Sequence, residues 1–393
     1  MPNQKRLAIV VSHPIQHFVG FYRALAAHAR LDVKVFYASR IGVESYFDDE
    51  MLTDIRWDMD LLSDYSHEFL PDAEKIKEIS FGTIDSPALP AALDVFDPDA
   101  VLVYGYSQRN SWRAMRWARR NRRKVLMISD SELLQKRNRL LAAPKGLLIK
   151  AAYSMVDAFL SVGDRNEEYY RNYGVPQSKI FRSPFTIDET SFRLAAEEQS
   201  KARLELRGEL GLDEEALVAL FVGKLSARKR PQDLLDAVAR IKQQGGPIVH
   251  AVLAGSGAGL DELKKRTEEE DLPAHFLGFC NLDRLPGLYV AADMLVHTSS
   301  RDPHPLVCSE AACVGLPVIL SDRIGAEGPT DIARKGENAL VYPVGDVGAL
   351  ADAISALARD AAMRDEMSRR ALEIFSELDI DRSVRGVIEA LDS

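Results

Sequence analysis

Short apolar runs separated by helix-period stretches recur along most of the chain. The run Leu7-Ala8-Ile9-Val10-Val11 reads as a buried strand ending at Ser12, and the polar loop His13-Pro14-Ile15-Gln16-His17 opens a helix reaching about Arg30. A second strand follows at Val33–Tyr37, so the chain begins with a strand–helix–strand unit, which requires parallel pairing. The same alternation predicts strands at Ala100–Tyr104, Lys124–Ile128, Ala158–Val162 and Ile180–Phe185, with helices at Asn110–Asn121, Gly146–Met155 and Arg165–Tyr173. The stretch Ile41–Leu93 shows no period and predicts an irregular excursion of the kind that shapes a cleft or lid. After a charged, helix-prone connection at Glu197–Leu210, a fresh series begins. It holds strands at Leu217–Val222, His250–Ala254, His275–Leu277 and Met294–His297, and helices at Pro231–Gln243, Leu260–Glu269 and Leu282–Ala291.

Two such series predict an α/β chain of two doubly wound parallel-sheet domains, one over 1–186 and one over 187–372, with a cleft between their strand ends. A length of 393 residues agrees, since one hydrophobic core rarely grows so large. Composition is that of a globular protein, 46% hydrophobic and 28% charged, with a formal charge of −9 that argues against a general nucleic-acid partner. The charge is unevenly spread. Arg109–Lys150 holds thirteen Lys or Arg against Asp130 and Glu132, a local +11. Within it, the helix carrying Trp112 and Trp117 has two readings: an anionic membrane surface met through Arg109–Lys124, or a solvated face with its tryptophans on the sheet. No apolar run is long enough to span a bilayer, and the opening apolar run is too short for a signal peptide. Cys280, Cys308 and Cys313 lack metal-ligand spacing and read as buried apolar groups in a reducing cytoplasm.

Candidate chemistry gathers where loops leave strands, because ligands of open parallel sheets lie beyond the strands' carboxyl ends. His13, Gln16 and His17 occupy such a loop, although a histidine at a helix start also serves as a cap or packing group. Asp130 stands just past another strand. In the second series, Gly223-Lys224-Leu225-Ser226-Ala227-Arg228-Lys229-Arg230 puts four cations between a strand and a helix, a plausible diphosphate clamp. Further on, Thr298–Asp322 joins Asp302 in a Pro-broken loop to Glu310 on a short helix, followed by the apolar strand Pro317-Val318-Ile319-Leu320. Carboxylates repel phosphate and suit hydroxyl groups, so cations and carboxylates in neighbouring loops fit a nucleotide sugar. The plainer reading of this stretch is an αβ unit with a solvated Glu310. A Walker pattern is absent and Gly255-Ser256-Gly257-Ala258-Gly259 lacks the full dinucleotide fingerprint, which disfavours a kinase or dehydrogenase.

Taken in order, the blocks Phe221-Val222-Gly223-Lys224-Leu225 with Lys229-Arg230-Pro231, Leu253-Ala254-Gly255-Ser256-Gly257, Phe276-Leu277-Gly278-Phe279, Ala292-Asp293-Met294, Asp302, Glu310-Ala311 and Gly315-Leu316-Pro317-Val318-Ile319 resemble the retaining glycosyltransferases of family 4. Ser12–Phe18 matches more loosely. The resemblance implies the GT-B architecture of two Rossmann-like domains facing across a cleft, with the donor on the second, the acceptor chiefly on the first, and a closing segment, 373–393, that returns to the first domain. It implies Lys224 and Lys229 on the donor diphosphate, Glu310 on the ribose and Asp302 on the sugar hydroxyls. It further implies backbone contacts at His304, Pro305, Leu306 and Val307, Gly223 and Gly278 along the donor, and acceptor contacts at His13, Gln16 and His17. No cofactor or metal is implied beyond the nucleotide-sugar co-substrate, and the acceptor is a glycan, a lipid-linked molecule or a small molecule handled in the cytoplasm or at the inner membrane face.

Three positions depart from the family pattern. Lys224 replaces the usual Arg and supplies a point charge instead of a fork. Asp302 replaces a longer Glu, and Pro305 replaces a Gly, removing one N–H. The histidine that relatives carry after the strand at Lys124–Ile128 is absent, and Asp130 stands nearby as a catalytic candidate. Alternatives with the same fold are a nucleotide-sugar epimerase and a non-catalytic binding subunit.

Overall fold

A computed structural model describes residues 4–135 and 139–393, with the side chains of 139–144 outside the description. Lys136 and Arg137 of the basic stretch therefore lie outside the described residues. The chain divides into two compact units. One comprises the chain up to Tyr46, Met59–Ile187 and Asp379–Ser393, and the other comprises Phe47–Asp58 and Asp188–Leu378.

Among the described residues, fifteen strands occur in chain order: β1 (Lys5–Val11), β2 (Leu31–Tyr37), β3 (Tyr46–Asp48), β4 (Thr53–Ile55), β5 (Ser66–Phe69), β6 (Ala100–Tyr104), β7 (Lys124–Ser129), β8 (Ala158–Ser161), β9 (Ile180–Arg182), β10 (Leu217–Val222), β11 (Val249–Ala254), β12 (Ala274–Gly278), β13 (Met294–His297), β14 (Val318–Ser321) and β15 (Ala339–Tyr342). The first unit holds a parallel sheet in the order β5-β2-β1-β6-β7-β8-β9 and the second a parallel sheet in the order β12-β11-β10-β13-β14-β15. Each is the doubly wound arrangement that the sequence predicts. Central strands such as Leu7–Val11 and Val218–Phe221 are buried along their length because helices cover both faces.

In such sheets the strand order reverses at one point, and the loops on either side splay apart to leave a crevice. The reversal falls between β1 and β6 in the first sheet and between β10 and β13 in the second. The loops that carry most of the candidate residues leave from β1, β10 and β13, whereas Asp130 follows β7 and Gly278 ends β12. In the second unit they are packed tightly against their neighbours: a Cβ on Gly255 would sit 1.9 Å from the Gly223 carbonyl oxygen, and one on Gly325 would sit 1.8 Å from that of Pro303. Only glycine permits either approach.

A buried arginine fixes the base of the second sheet. Arg207 donates to the carbonyls of Glu214 (2.9 Å), Ala291 (2.8 Å) and Ala216 (2.7 Å) and pairs with Asp293 at 3.2 Å. Asp293 also accepts from the Val218 N–H at 2.8 Å. The Ala292-Asp293-Met294 block is thus structural, and it clamps the start of β10 to the start of β13.

Several boundaries differ from the sequence reading. Ile41–Leu93, expected to be irregular, contains β3, β4 and β5 and the first five residues of the helix Leu89–Phe96. These strands are too short to show alternation. The last strand of the first sheet stops at Arg182 and does not run to Phe185. The connection at Glu197–Leu210 is two helices, Glu189–Glu197 and Gln199–Leu210, and the helix placed at Gly146–Met155 spans Arg139–Tyr153. At the end of the chain, Ile380–Asp392 is a helix of the first unit, packed on β8, β9 and the helix Gln16–Ala27. Ser183 Oγ donates to the Ser383 carbonyl at 3.0 Å and Ser383 Oγ to that of Pro184 at 2.7 Å.

Candidate functional site

In the second unit, the loop after β10 and the loop after β13 are stitched together by hydrogen bonds. The Ser300 N–H donates to the Arg228 carbonyl at 2.9 Å, and the Thr298 hydroxyl lies 2.7 Å and 2.8 Å from the carbonyls of Lys229 and Arg230. This brings Lys229 and Asp302 together although 73 residues separate them, with Nζ 2.5 Å from Oδ2. The same Oδ2 lies 3.0 Å from Nε2 of His297, the last residue of β13, and the Ser299 hydroxyl lies 3.2 Å from that nitrogen. All three charged or polar groups are buried or nearly so.

Burial by itself would raise the Asp302 pKa, but the His297 hydrogen bond and the Lys229 charge outweigh it and hold the carboxyl well below the usual range. Burial and the Lys229 charge lower the pKa of His297, so the ring is neutral and donates its Nε2–H to the carboxylate. Lys229 and Asp302 therefore form a nearly buried, mutually neutralising pair between the loops that follow the two strands of the switch point. Removing one partner of such a pair leaves an uncompensated charge.

The other three cations of the loop have separate roles. Lys224 Nζ lies 3.0 Å from Asp48 and 2.8 Å from Glu50. Burial would lower the Lys224 pKa, yet these hydrogen bonds and charges raise it. Arg228 donates to the Arg301 carbonyl at 3.1 Å, and Arg230 turns to Asp233 at 2.7 Å. Of the four neighbouring cations expected to act together, Lys229 and Lys224 are thus held by carboxylates of other segments, Arg228 by a carbonyl and Arg230 by its own helix.

Further along, His304 Nε2 lies 3.2 Å from Asp331 Oδ1, Pro305 and Leu306 lead into the helix Val307–Cys313, and Glu310 is on its first turn. Glu310 accepts a hydrogen bond from the buried hydroxyl of Tyr289. Burial pushes its pKa up to about 7, against which the Tyr289 bond works. Gly223 and Gly278 stand at the ends of β10 and β12, and the Gly255 N–H donates to the Gly278 carbonyl at 2.7 Å.

In the first unit, Ser12 Oγ and His13 Nδ1 share a hydrogen bond of 2.8 Å, Gln16 begins the helix Gln16–Ala27, and the His17 ring stands 4.0 Å from that of Phe18. Burial lowers the pKa of His13 to about 4, and burial with the nearby His13 does the same for His17, so both are uncharged at neutral pH. Asp130 is exposed just past β7, one strand beyond β6 from the loop of His13. The basic helix Arg109–Arg120 is largely accounted for within its unit. Trp117 is buried with Nε1 2.7 Å from Asp94, Trp112 donates to the Tyr106 carbonyl at 2.9 Å, and Asp85 takes Arg109 at 3.0 Å and Arg113 at 2.5 Å. Arg116 and Arg120 remain exposed.

Residues 202–373 match the family model of glycosyl transferases group 1. Among curated relatives, the D-inositol 3-phosphate glycosyltransferase of Salinispora arenicola is 29% identical over 214 residues, 52% of this chain and 47% of the relative. The lipopolysaccharide core biosynthesis glycosyltransferase LpsE of Rhizobium meliloti is 32% identical over 169 residues, 42% of this chain and 47% of the relative. The chain thus matches about half the length of these relatives, 47% in each case. Similar solved structures include Anabaena HepE in complex with UDP and glucose (TM-score 0.70, 16% identity, 99% of this chain and 100% of that one). Sucrose-phosphate synthase from Thermosynechococcus elongatus is likewise similar (TM-score 0.70, 19% identity, 98% of this chain and 97% of that one). The fold is GT-B, as expected from the sequence. Lys224, Lys229, Asp302 and Glu310 all lie in the matched stretch, as do His297, Tyr289 and Asp331.

These last three were not singled out in the sequence. His297 was legible in principle, since it ends a strand five residues before Asp302. Tyr289 and Asp331 sit on other elements, and nothing local marks them.

The raised pKa of Glu310 has a consequence for stability. The native carboxyl keeps its proton up to about pH 7, whereas the ordinary value is 4.5. The stability it contributes is therefore full below pH 4.5 and is lost as pH rises through 7. Glu310→Gln removes this loss and gains about 1–3 kcal/mol over the parent at pH 8, with little difference at pH 4. Urea denaturation at the two pH values checks this, and equal pH dependence in both proteins would contradict it.

Proposed function

We propose that the chain is a glycosyltransferase that moves a sugar from a nucleotide-diphosphate sugar to an acceptor hydroxyl, with retention at the anomeric carbon and without a metal. The observation that carries the reading is the Lys229–Asp302 pair at the switch point of the sheet, inside the stretch that matches the glycosyl transferases group 1 model. A cation for the leaving diphosphate and a carboxylate for sugar hydroxyls stand side by side, as transfer from such a donor demands. The similarity to HepE, solved with UDP and glucose, supports the same donor class.

In this reading Lys229 and Lys224 stabilise the departing diphosphate electrostatically, the largest catalytic effect available to this set of groups. Asp302, held in place by His297, orients the transferred hexose. Glu310 takes the ribose hydroxyls, Gly223 and Gly278 border the phosphates and base, and the backbone from His304 to Val307 meets the sugar. His13, Gln16 and His17 face the acceptor, a glycan, lipid-linked or small molecule, and Asp130 contributes near the reacting carbon. The family 4 resemblance underlies these individual roles.

Isothermal titration with a panel of nucleotide sugars tests the donor site. Lys229→Ala and Glu310→Ala are expected to weaken donor binding at least about tenfold while the fold is kept, and EDTA is expected to leave turnover unchanged. Unchanged affinity in both variants removes the site, and loss of turnover in EDTA removes the metal-free reaction.

A lipid-linked acceptor would bring the chain to a membrane, and no helix among the described residues is long and apolar enough to cross one. We assign surface contact to the Arg109–Lys124 region. There a cavity of about 420 Å³ is lined by Arg116, Trp112, Phe81 and Leu148, the last two with exposed side chains. Sedimentation with anionic vesicles is expected at low salt and is expected to fall when Arg116, Arg119 and Arg120 become Glu. Absence of binding at low salt removes the membrane role.

A further inference from the structure

One segment of the second unit lies directly on the cations assigned to the donor. Phe47–Asp58 belongs to that unit although its neighbours in sequence on both sides belong to the other. It touches the loops after β10, β11 and β12 in turn. Asp48 and Glu50 place carboxylate oxygens 3.0 Å and 2.8 Å from Lys224 Nζ, and Glu50 comes within 4.0 Å of Arg228. The Glu50 carbonyl oxygen lies 3.0 Å from where a Cβ on Gly257 would be. Trp57 meets the edge of Phe279 with ring centroids 6.3 Å apart. The Arg56 carbonyl accepts from Asn281 Nδ2 at 2.7 Å, and Asp58 accepts from the Asp283 N–H at 2.8 Å.

Two carboxylates already satisfy Lys224, and Asp48 is held in its pose by the N–H groups of Glu50 (3.0 Å) and Met51 (2.8 Å). A diphosphate approaching the same ammonium meets two like charges in a half-buried site, where repulsion is poorly screened. Three carboxylate oxygens already surround the three N–H donors of the ammonium, so a diphosphate must displace one of them to bond Lys224. We propose that Phe47–Asp58 is an acidic strap that competes with the donor diphosphate for Lys224, so that donor entry and release of the strap are one event. The proposal rests on the donor reading above. It gives Lys224 and Lys229 different behaviour: each is paired before the donor arrives, but only the Lys224 partners sit on a segment separate in sequence from the rest of the unit.

A strap closed in about nine-tenths of molecules lowers apparent donor affinity about tenfold, because only the open fraction binds. The test titrates the full chain and its Asp48→Asn/Glu50→Gln variant with uridine, guanosine and adenosine diphosphates and with inorganic pyrophosphate. Hydrogen exchange over Phe47–Asp58 is followed in parallel. Tightening of about tenfold in the variant is expected, with faster exchange in the segment once a diphosphate is added to the parent. Glu50→Gln alone, whose side chain is more exposed, is expected to move both readouts in the same direction by less. Equal or weaker binding by the variants overturns the strap, as does slower exchange in the segment when diphosphate binds. Failure of every probe to bind parent and variants alike removes the donor reading and the strap together.

Discussion

The second unit depends on the contact between Lys229, Asp302 and His297. A carboxylate as buried as Asp302 is costly unless its charge is matched and its oxygens are bonded. Here one oxygen takes both a lysine ammonium and an imidazole N–H, at 2.5 Å and 3.0 Å. The pair binds the loop after β10 to the loop after β13, and the hydrogen bonds from Thr298 and Ser300 make that junction continuous. It also leaves a cation and a carboxylate at the point where the sheet opens, so one contact supports both the packing of the loops and the proposed chemistry.

That arrangement follows from topology. Parallel strands send all their carboxyl ends to one edge, and the reversal of strand order between β10 and β13 separates the loops that follow. Glycines at 255 and 325 let adjoining backbones close against the two loops, and Arg207 with Asp293 locks the opposite end of β10 and β13. The crevice is thereby held between strands fixed at their far ends, and side chains on its lip keep one geometry.

Much of this was legible in the sequence. Buried strands such as Leu7–Val11 and Leu217–Val222 show as apolar runs, and the loops after them are where ligands of such sheets bind, so Lys224, Lys229, Asp302 and Glu310 stand out as candidates by position and charge. What escaped has a common cause. The short strands within Ile41–Leu93 bury too little to leave a period, and the allegiance of Phe47–Asp58 to the other unit is set by contacts with Lys224, Asn281 and Asp283 far along the chain. Tyr289 and Asp331 are likewise tied to Glu310 and His304 by tertiary contacts only. The basic helix shows the converse: its composition suggested a charged surface, whereas Asp85, Asp94 and Asp157 take up much of its polar character within the unit.

The most direct measurement is a crystal structure of the chain with a bound nucleoside diphosphate. The expected result has a phosphate oxygen within hydrogen-bond distance of Lys229 Nζ, with Asp302 still bonded to His297 and its free oxygen facing the crevice. A diphosphate bound elsewhere, with the groups around Lys229 undisturbed, would contradict the assignment of this junction as the donor site.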